Sequence, residues 1–332
     1  MTWLVTGAAG FIGTNLVKKL VVRGIPVVGL DDFSRPGVYE NAIFLHNTFG
    51  FSISRTDISN RESTWTLLRQ IEDLEMVVHL AGQVSFLKSI ENPVRDFEVN
   101  VLGTINILEY LRLHSPSCKL IALSSNKVYG NLSHIFTREM LTRFIAPDWP
   151  NGFDESLPLD FHGPYGCSKG ALDQYVADYR RTFGLICCSL RQSSVYGPHQ
   201  HPQADQGWFS HILQKVLTRE TINLNGIGKQ VRDVLFVDDL IDLILRIHDC
   251  LTNESPSQFN VGGGVDNSLS LLELFQLIED MTRLRAVFNT GPYRPSDQKV
   301  FISNNSRITE VTGWTPTTSV QAGISKLIQT FI

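Results

Sequence analysis

Tyr165 and Lys169 lie four residues apart, a spacing that on a helix places two side chains on one face, a turn apart. A phenol ionises near about pH 10, too high for a base at neutral pH. A neighbouring ammonium and the positive ring of a bound hydride acceptor favour the phenolate and lower that value. So tuned, Tyr165 can take the proton of an alcohol while a hydride leaves the same carbon. Such a pair alone also describes a surface contact on an amphipathic helix. This one opens a helical pattern directly after Gly163-Pro164 and follows Ser124-Ser125 at the carboxyl end of an apolar strand, where ligands bind in open α/β sheets. A serine hydroxyl both donates and accepts, so it can bond the reacting oxygen as alcohol and as carbonyl.

The run Gly7-Ala8-Ala9-Gly10-Phe11-Ile12-Gly13 sits between a short apolar strand and a helical pattern. In that context the first glycine permits the tight turn, the second lets a pyrophosphate approach the backbone, and the third lets helix and strand pack closely. The free N–H groups and dipole of the helix start then hold the phosphates. Asp31 lies 18 residues past Gly13, at the end of the second apolar run. A carboxylate there accepts hydrogen bonds from the adenosine ribose and repels a 2′-phosphate, which favours NAD over NADP. Arg35 is the kind of residue that would instead receive that phosphate; the position of Asp31 decides for NAD.

The elements that must carry these residues follow from periodicity. Trp3–Val5, Ile25–Leu30, Met76–Ala81, Lys119–Ser124 and Leu185–Leu190 are apolar runs of strand length. Phe11–Arg23, Pro93–His114 and Tyr165–Phe183 carry helical patterns. Near-continuous apolar strands joined by helices predict a parallel sheet covered on both faces, hence a doubly wound α/β fold of Rossmann type. Residues 126–164 have little periodicity and read as a long functional loop. Beyond Gly197 the pattern is mixed, with strands expected at Val234–Val237 and Gln258–Val261. Helices are expected at Asp238–Cys250, Leu271–Thr282 and Ser319–Phe331. We therefore expect an NAD-binding Rossmann domain over 1–190 that carries the Tyr-Lys pair. A smaller mixed α/β domain over 191–332 is expected to bind substrate, with some segments returning to the sheet.

Composition narrows the function classes. The 332 residues are 42% apolar and 19% charged, with a net charge of −4, which is ordinary globular composition. No Lys/Arg cluster suggests nucleic acid, and no apolar stretch approaches the ~18–20 residues of a membrane span. The start lacks a signal-peptide pattern. The five cysteines contain no C-x-x-C, so reduced thiols in a cytoplasmic protein are expected rather than disulfides or zinc. Nine histidines include His199-Gln200-His201. They follow Gly197-Pro198 and lack a carboxylate at ligand spacing, so they read as a polar loop near the substrate, and no metal site is expected. Arg180-Arg181 reads as a solvated helix face, Asp238-Asp239 as a helix N-cap pair, and His79 as a satisfied structural histidine.

The ordered set Gly7/Gly10/Gly13, Asp31, Asp57, His79-Leu80-Ala81-Gly82, Asn100, Ser124-Ser125, Val128-Tyr129-Gly130, Tyr165/Lys169 and Arg232-Asp233-Val234-Leu235-Phe236-Val237-Asp238-Asp239 resembles the extended short-chain dehydrogenases/reductases. Longer words are similar to the members of that family that invert carbon 2 of a CDP-linked deoxyhexose. They are Ser125-Asn126-Lys127-Val128-Tyr129-Gly130, residues 150–156, residues 159–170, Asp205-Gln206-Gly207-Trp208, residues 228–233 and Ser296-Asp297-Gln298. The resemblance implies bound NAD, a nucleotide-sugar substrate with CDP favoured, and a homodimer or homotetramer. It makes Tyr165 the base, Lys169 its partner and Ser125 the hydroxyl beside the reacting oxygen. Gly7, Gly10, Phe11, Ile12 and Gly13 would line the pyrophosphate. Asp57 and Ile58 would meet the adenine, and Leu80, Ala81 and Gln83 the other side of the cofactor. Asp31, Asp32, Ser34, Arg35, Asn100 and Ser124 would be further cofactor contacts. Arg232 and Arg294 would clamp the substrate diphosphate, with Ser125, Asn126 and Gln206 also on substrate. Two positions depart from the family's pattern: Ser125 stands where threonine is usual, and Asp32 where asparagine is common.

Two other readings stay open. One is inversion at carbon 4 of a UDP-sugar by the same Tyr, Lys and Ser. The other, of a different class, is a non-catalytic dinucleotide sensor on the same fold. Sugar 4,6-dehydratases carry an acidic pair where this chain has Asn126-Lys127, which disfavours water elimination.

Overall fold

A computed structural model describes residues 1–203, 206–294 and 297–331. Seven parallel strands form the main sheet. Their spatial order is Gln258–Val261, Cys187–Gln192, Lys119–Leu123, Leu74–His79, Thr2–Thr6, Val27–Asp31 and Ile53–Arg55. The first three strands in sequence run outward in one direction and the later four in the other. The order therefore reverses between Thr2–Thr6 and Leu74–His79, which opens a crevice at the strands' carboxyl ends. The doubly wound Rossmann-type α/β expectation describes this sheet.

The strands read as unbroken apolar runs because both faces are covered. On one face the helix Phe11–Val22 buries Leu16, Val17 and Leu20 beside Leu240 and Ile244 of the helix Val237–Cys250. On the other, Ile107 and Leu111 of Gly103–His114 pack with Leu172 and Val176 of Gly163–Phe183. Segments beyond residue 190 thus return to the main sheet, as strand Gln258–Val261 and as a covering helix.

A second sheet is built on Val231–Phe236. It pairs parallel with Ser194–Tyr196 and Val300–Phe301 and antiparallel with Ser268–Ser270. Its core holds Phe209, Leu213, Phe236, Phe275 and Ile324. The helix Leu271–Thr282 starts on a capping box: Ser270 Oγ accepts from Glu273 N at 3.1 Å, and Glu273 Oε2 accepts from Ser270 N at 2.9 Å.

Several expectations are corrected. The helix expected over Pro93–His114 contains a π turn, Glu98–Leu102. It falls at buried Asn100, whose side-chain bonds hold the widened backbone in register. Residues 126–164 are not an open loop. Tyr129, Phe144 and Phe153 are buried with Phe301 in a core of their own, behind the hairpin Arg138–Glu139/Phe144–Ile145. Asp238-Asp239 does not cap: the helix starts at Val237, and buried Asp239 instead accepts from Thr317 Oγ1 at 2.7 Å and Thr318 N at 2.9 Å, anchoring the C-terminal segment. Arg180 is not solvated; it donates to the carbonyls of Cys187 and Thr252, while exposed Arg181 pairs with Asp178. The sequence reading assigned no strand or helix between Asp32 and Met76, where helices Val38–Phe49 and Arg61–Leu68 and strand Ile53–Arg55 form.

Candidate active site

The turn after Thr2–Thr6 is as tight as the glycines imply. Gly7 adopts φ +67°, and a Cβ there would lie 2.8 Å from the Ala81 backbone nitrogen; on Gly13 it would lie 2.1 Å from the Gly7 carbonyl oxygen. These two glycines answer to packing within the chain. Gly10 is different: a Cβ would meet only that carbonyl, at 3.1 Å, and Gly10 is the helix N-cap with no side-chain bond. The first-turn amides are therefore left for an anion. Asp31 fixes the turn, since its Oδ2 accepts from Ala9 N at 3.1 Å and its Oδ1 from Phe33 N at 2.9 Å. Burial raises the Asp31 pKa, opposed by the Phe33 amide.

This cradle opens into a cavity of about 400 Å³. Of the residues expected around a dinucleotide, Gly7, Gly10, Phe11, Ile12, Gly13, Asp31, Asp32, Ser34, Arg35, Asp57, Ile58, Leu80, Ala81, Gln83, Tyr165 and Lys169 all line it. Volume, amide cradle and carboxylate together fit NAD. Asn100 and Ser124 do not line it. Asn100 is fully buried: its Oδ1 accepts from Gln83 N at 2.9 Å, and its Nδ2 donates to Gln83 O at 3.0 Å and Ser168 Oγ at 3.0 Å. It positions a wall residue rather than touching the cavity. Ser124 Oγ donates to Lys169 O at 3.2 Å and ties strand to helix. The sequence reading missed Lys88, Arg95, Gln192 and Gln203, which also line the cavity. None stands in a motif, and only the fold brings them there.

Gln203 and Gln206 lie in the loop that follows Pro198. Asn15 Nδ2 donates to Pro198 O at 2.9 Å, Asn41 Nδ2 to His199 O at 3.1 Å, and His201 Nε2 pairs with Asn41 Oδ1 at 3.2 Å. The two histidines therefore strap the loop to the cofactor side rather than facing substrate. Gln206, expected on substrate, lies on the cofactor wall.

Tyr165 sits in the first turn of Gly163–Phe183, its amide donating to Ser89 Oγ at 3.2 Å. Ser125 hydrogen-bonds its phenol, but burial dominates and pushes the Tyr165 hydroxyl up to about 12; Asp96 adds to the rise, and the Arg35 charge opposes it. Lys169 Nζ donates to Leu123 O at 2.9 Å, and burial pushes this ammonium down to about 8. Of the two expected causes of a lowered phenol, Lys169 is not one in this geometry, and the positive ring of a bound dinucleotide would have to supply it. The ammonium is held by a backbone carbonyl, and within the chain the downward pull on the phenol comes from Ser125 and Arg35.

Beyond Ser125 the single 3₁₀ turn Asn126–Tyr129 leads to a cationic cluster. Arg232 Nη2 donates to Asp297 Oδ1 at 2.7 Å, and Lys127 Nζ lies 3.8 Å from the same oxygen. The Asn225 amide oxygen, turned toward Arg294, accepts from its Nε at 2.9 Å. Burial and both arginine charges push Lys127 down to about 8, with Asp297 opposing. Arg232 and Lys127 on one carboxylate, with the Arg294 charge near enough to act on Lys127, form a seat for a polyanion. Lys127 was not foreseen in it. Asn126 instead donates to Gln298 Oε1 at 3.0 Å. Asp205 and Ser296 lie outside the described residues. Among the described residues no group of three or more potential metal ligands occurs, and no helix is long and apolar enough to cross a membrane.

A Rossmann sheet whose dinucleotide cavity ends at a Tyr-Lys-Ser constellation defines an enzyme of the short-chain dehydrogenase/reductase type. More particularly, the chain belongs to the NAD dependent epimerase/dehydratase family, whose model matches residues 3–262. It is 42% identical to CDP-paratose 2-epimerase of Salmonella typhi, over 98% of both chains. It is 33% identical to UDP-glucose 4-epimerase of Mycolicibacterium smegmatis, over 100% of this chain and 98% of that one. The structure of UDP-glucuronic acid 4-epimerase from Bacillus cereus in complex with UDP-glucuronic acid and NAD matches with a TM-score of 0.84 at 26% identity, covering 99% of this chain and 98% of that one.

Proposed function

We propose that this chain is a nucleotide-sugar epimerase that inverts carbon 2 of a CDP-linked deoxyhexose. The observation that carries the reading is Tyr165, hydrogen-bonded by Ser125 on the wall of the dinucleotide cavity, with Lys127 of the cationic cluster two residues past Ser125 in the same turn. The likeness to CDP-paratose 2-epimerase supports the choice of sugar and carbon.

NAD, held by the glycine turn and the cavity walls, would supply a reversible hydride acceptor. Tyr165 takes the hydroxyl proton from the sugar carbon and returns it after inversion. Ser125 stays bonded to the reacting oxygen in both oxidation states. Lys127, Arg232 and Arg294 hold the diphosphate while the keto-sugar turns its other face. The packed segment 126–164 keeps water from the keto group. Residues 191–332 provide most of the substrate cleft and 1–190 the cofactor cavity. The protein works in the cytoplasm, and the exposed Val94, Phe97 and Phe183 on the helices beside the site support a homodimer or homotetramer.

Tyr165→Phe tests the reading: turnover falls by more than about a hundredfold while NAD stays bound. With CDP-linked sugars in deuterated buffer and no added cofactor, the product carries no solvent deuterium. Incorporation would point to enolisation and end the hydride-return mechanism. The relative UDP-glucose 4-epimerase supports a second reading, inversion at carbon 4 of a UDP-sugar by the same residues; a UDP-sugar panel in the same assay separates the two.

A further inference from the structure

Arg95 stands at the adenosine end of the cavity and belongs to no motif. Its Nη2 donates to Asp57 Oδ2 at 2.8 Å and lies 3.5 Å from Asp32 Oδ2. Its Nη1 donates to Ser59 Oγ at 2.8 Å and lies 3.6 Å from Glu98 Oε2. Both terminal nitrogens are therefore engaged, and three carboxylates surround one guanidinium. The acids are themselves fixed. Asp32 Oδ1 accepts from Ser34 N and Oγ at 3.0 and 2.7 Å, and Asp57 Oδ1 from Ser59 N and Oγ at 2.9 and 2.7 Å. Asp32 follows Asp31 at the end of Val27–Asp31, where this fold places the adenosine ribose. Arg95, Asp32, Asp57, Asp31 and Arg35 all line the cavity.

We propose that Arg95 is a cofactor-specificity residue: Asp32 and Asp57 hold its guanidinium away from the ribose 2′ position, and the two acids with Arg95 form a latent 2′-phosphate site. Held this way, Arg95 presents paired rather than free donors, and an incoming 2′-phosphate meets carboxylates. Choice of NAD over NADP then belongs to a cage drawn from three segments and not to Asp31 alone. With Asp32 and Asp57 neutral, Nη2 loses its charged partners and becomes a planar donor suited to phosphate oxygens.

The inference rests on the reading of the cavity as an NAD site, but not on the sugar. The test is displacement of bound NADH, followed by its fluorescence, with NAD and with NADP. In Asp32→Asn/Asp57→Asn the preference for NAD narrows by at least about tenfold, the worth of one charge-assisted bond. Adding Arg95→Met to that pair restores the wider gap. In the otherwise unchanged chain Arg95→Met weakens NAD by about threefold or more, because two carboxylates lose their cation. Asparagine keeps the acceptor that Ser34 and Ser59 use, and the single Asp32→Asn variant serves if the double variant does not fold. An unchanged preference overturns the proposal. So does narrowing of equal size with and without Arg95, which would leave only lost repulsion. Failure to epimerise any CDP-sugar would sink the functional reading and leave these affinity ratios untouched.

Discussion

At the scale of single residues, Lys127 is the group with most bearing on substrate binding. It shares the Asp297 oxygen with Arg232, and in the proposed function its contact with the diphosphate would be the same whether the sugar is alcohol or ketone. An interaction equal in ground and transition states changes KM and leaves kcat alone. Lys127→Met is expected to raise KM for the nucleotide sugar roughly tenfold with kcat nearly constant, and Lys127→Arg to restore most of it. Steady-state kinetics across the three proteins checks this; a fall in kcat with KM unchanged would move Lys127 from binding to chemistry. The sequence showed this residue only as a missing acid. Its real company, Arg232, Arg294 and Asp297, stands about a hundred residues and more away in the chain and is brought near by strand pairing. Arg95 was hidden for the same reason: Asp32 and Asp57 reach it from two other turns of the sheet.

At the scale of elements, what periodicity could read was what is buried on both faces. Leu74–His79 and Lys119–Leu123 were plain because each holds an unbroken apolar run, Met76 to Val78 and Leu120 to Leu123. The helix Arg61–Leu68 was not, since its short apolar face, Trp65 and Leu68, offers little pattern. The π turn at Asn100 is invisible to a 3.6-residue period by nature. The strand end at His79 carries a consequence for stability. His79 is sealed between Thr6 Oγ1 at 2.8 Å and Thr104 Oγ1 at 3.0 Å, and burial pushes it down to about 3. The unfolded chain binds a proton there below about pH 6.5 that the native chain refuses. Stability is therefore fully present above that pH. It is lost as pH falls toward 3, by about 1.4 kcal/mol per unit from this group. Urea midpoints followed from neutral pH downward should show this loss, and His79→Gln should flatten the slope by about one proton; an unaltered slope would show that His79 is not its source.

For the whole molecule, the two sheets meet through the chain that leaves Ser194–Tyr196 and runs past Pro198. Asn15, Asn41 and His201 fasten that crossing to the first two helices, and Gln203 and Gln206 put it on the cavity wall. We expect release of a dinucleotide from this cavity to require these bonds to open. His201→Ala, which removes one bond, is expected to speed exchange of bound NADH with free NAD about fivefold while thermal unfolding stays nearly unchanged. Stopped-flow fluorescence reads the rate directly, and an unchanged rate would show that the strap does not govern release.

In the proposed function such a strap would keep the dinucleotide in place through many turnovers instead of letting it pass as a reagent. A catalyst so furnished has no need of the cell's supply between turnovers, yet it also has no easy repair. Each time an oxidised sugar slips away before its hydride is given back, one molecule is stranded in the reduced form. The fraction so stranded, visible as absorbance of NADH in freshly purified protein, is a record of how often the cleft has leaked.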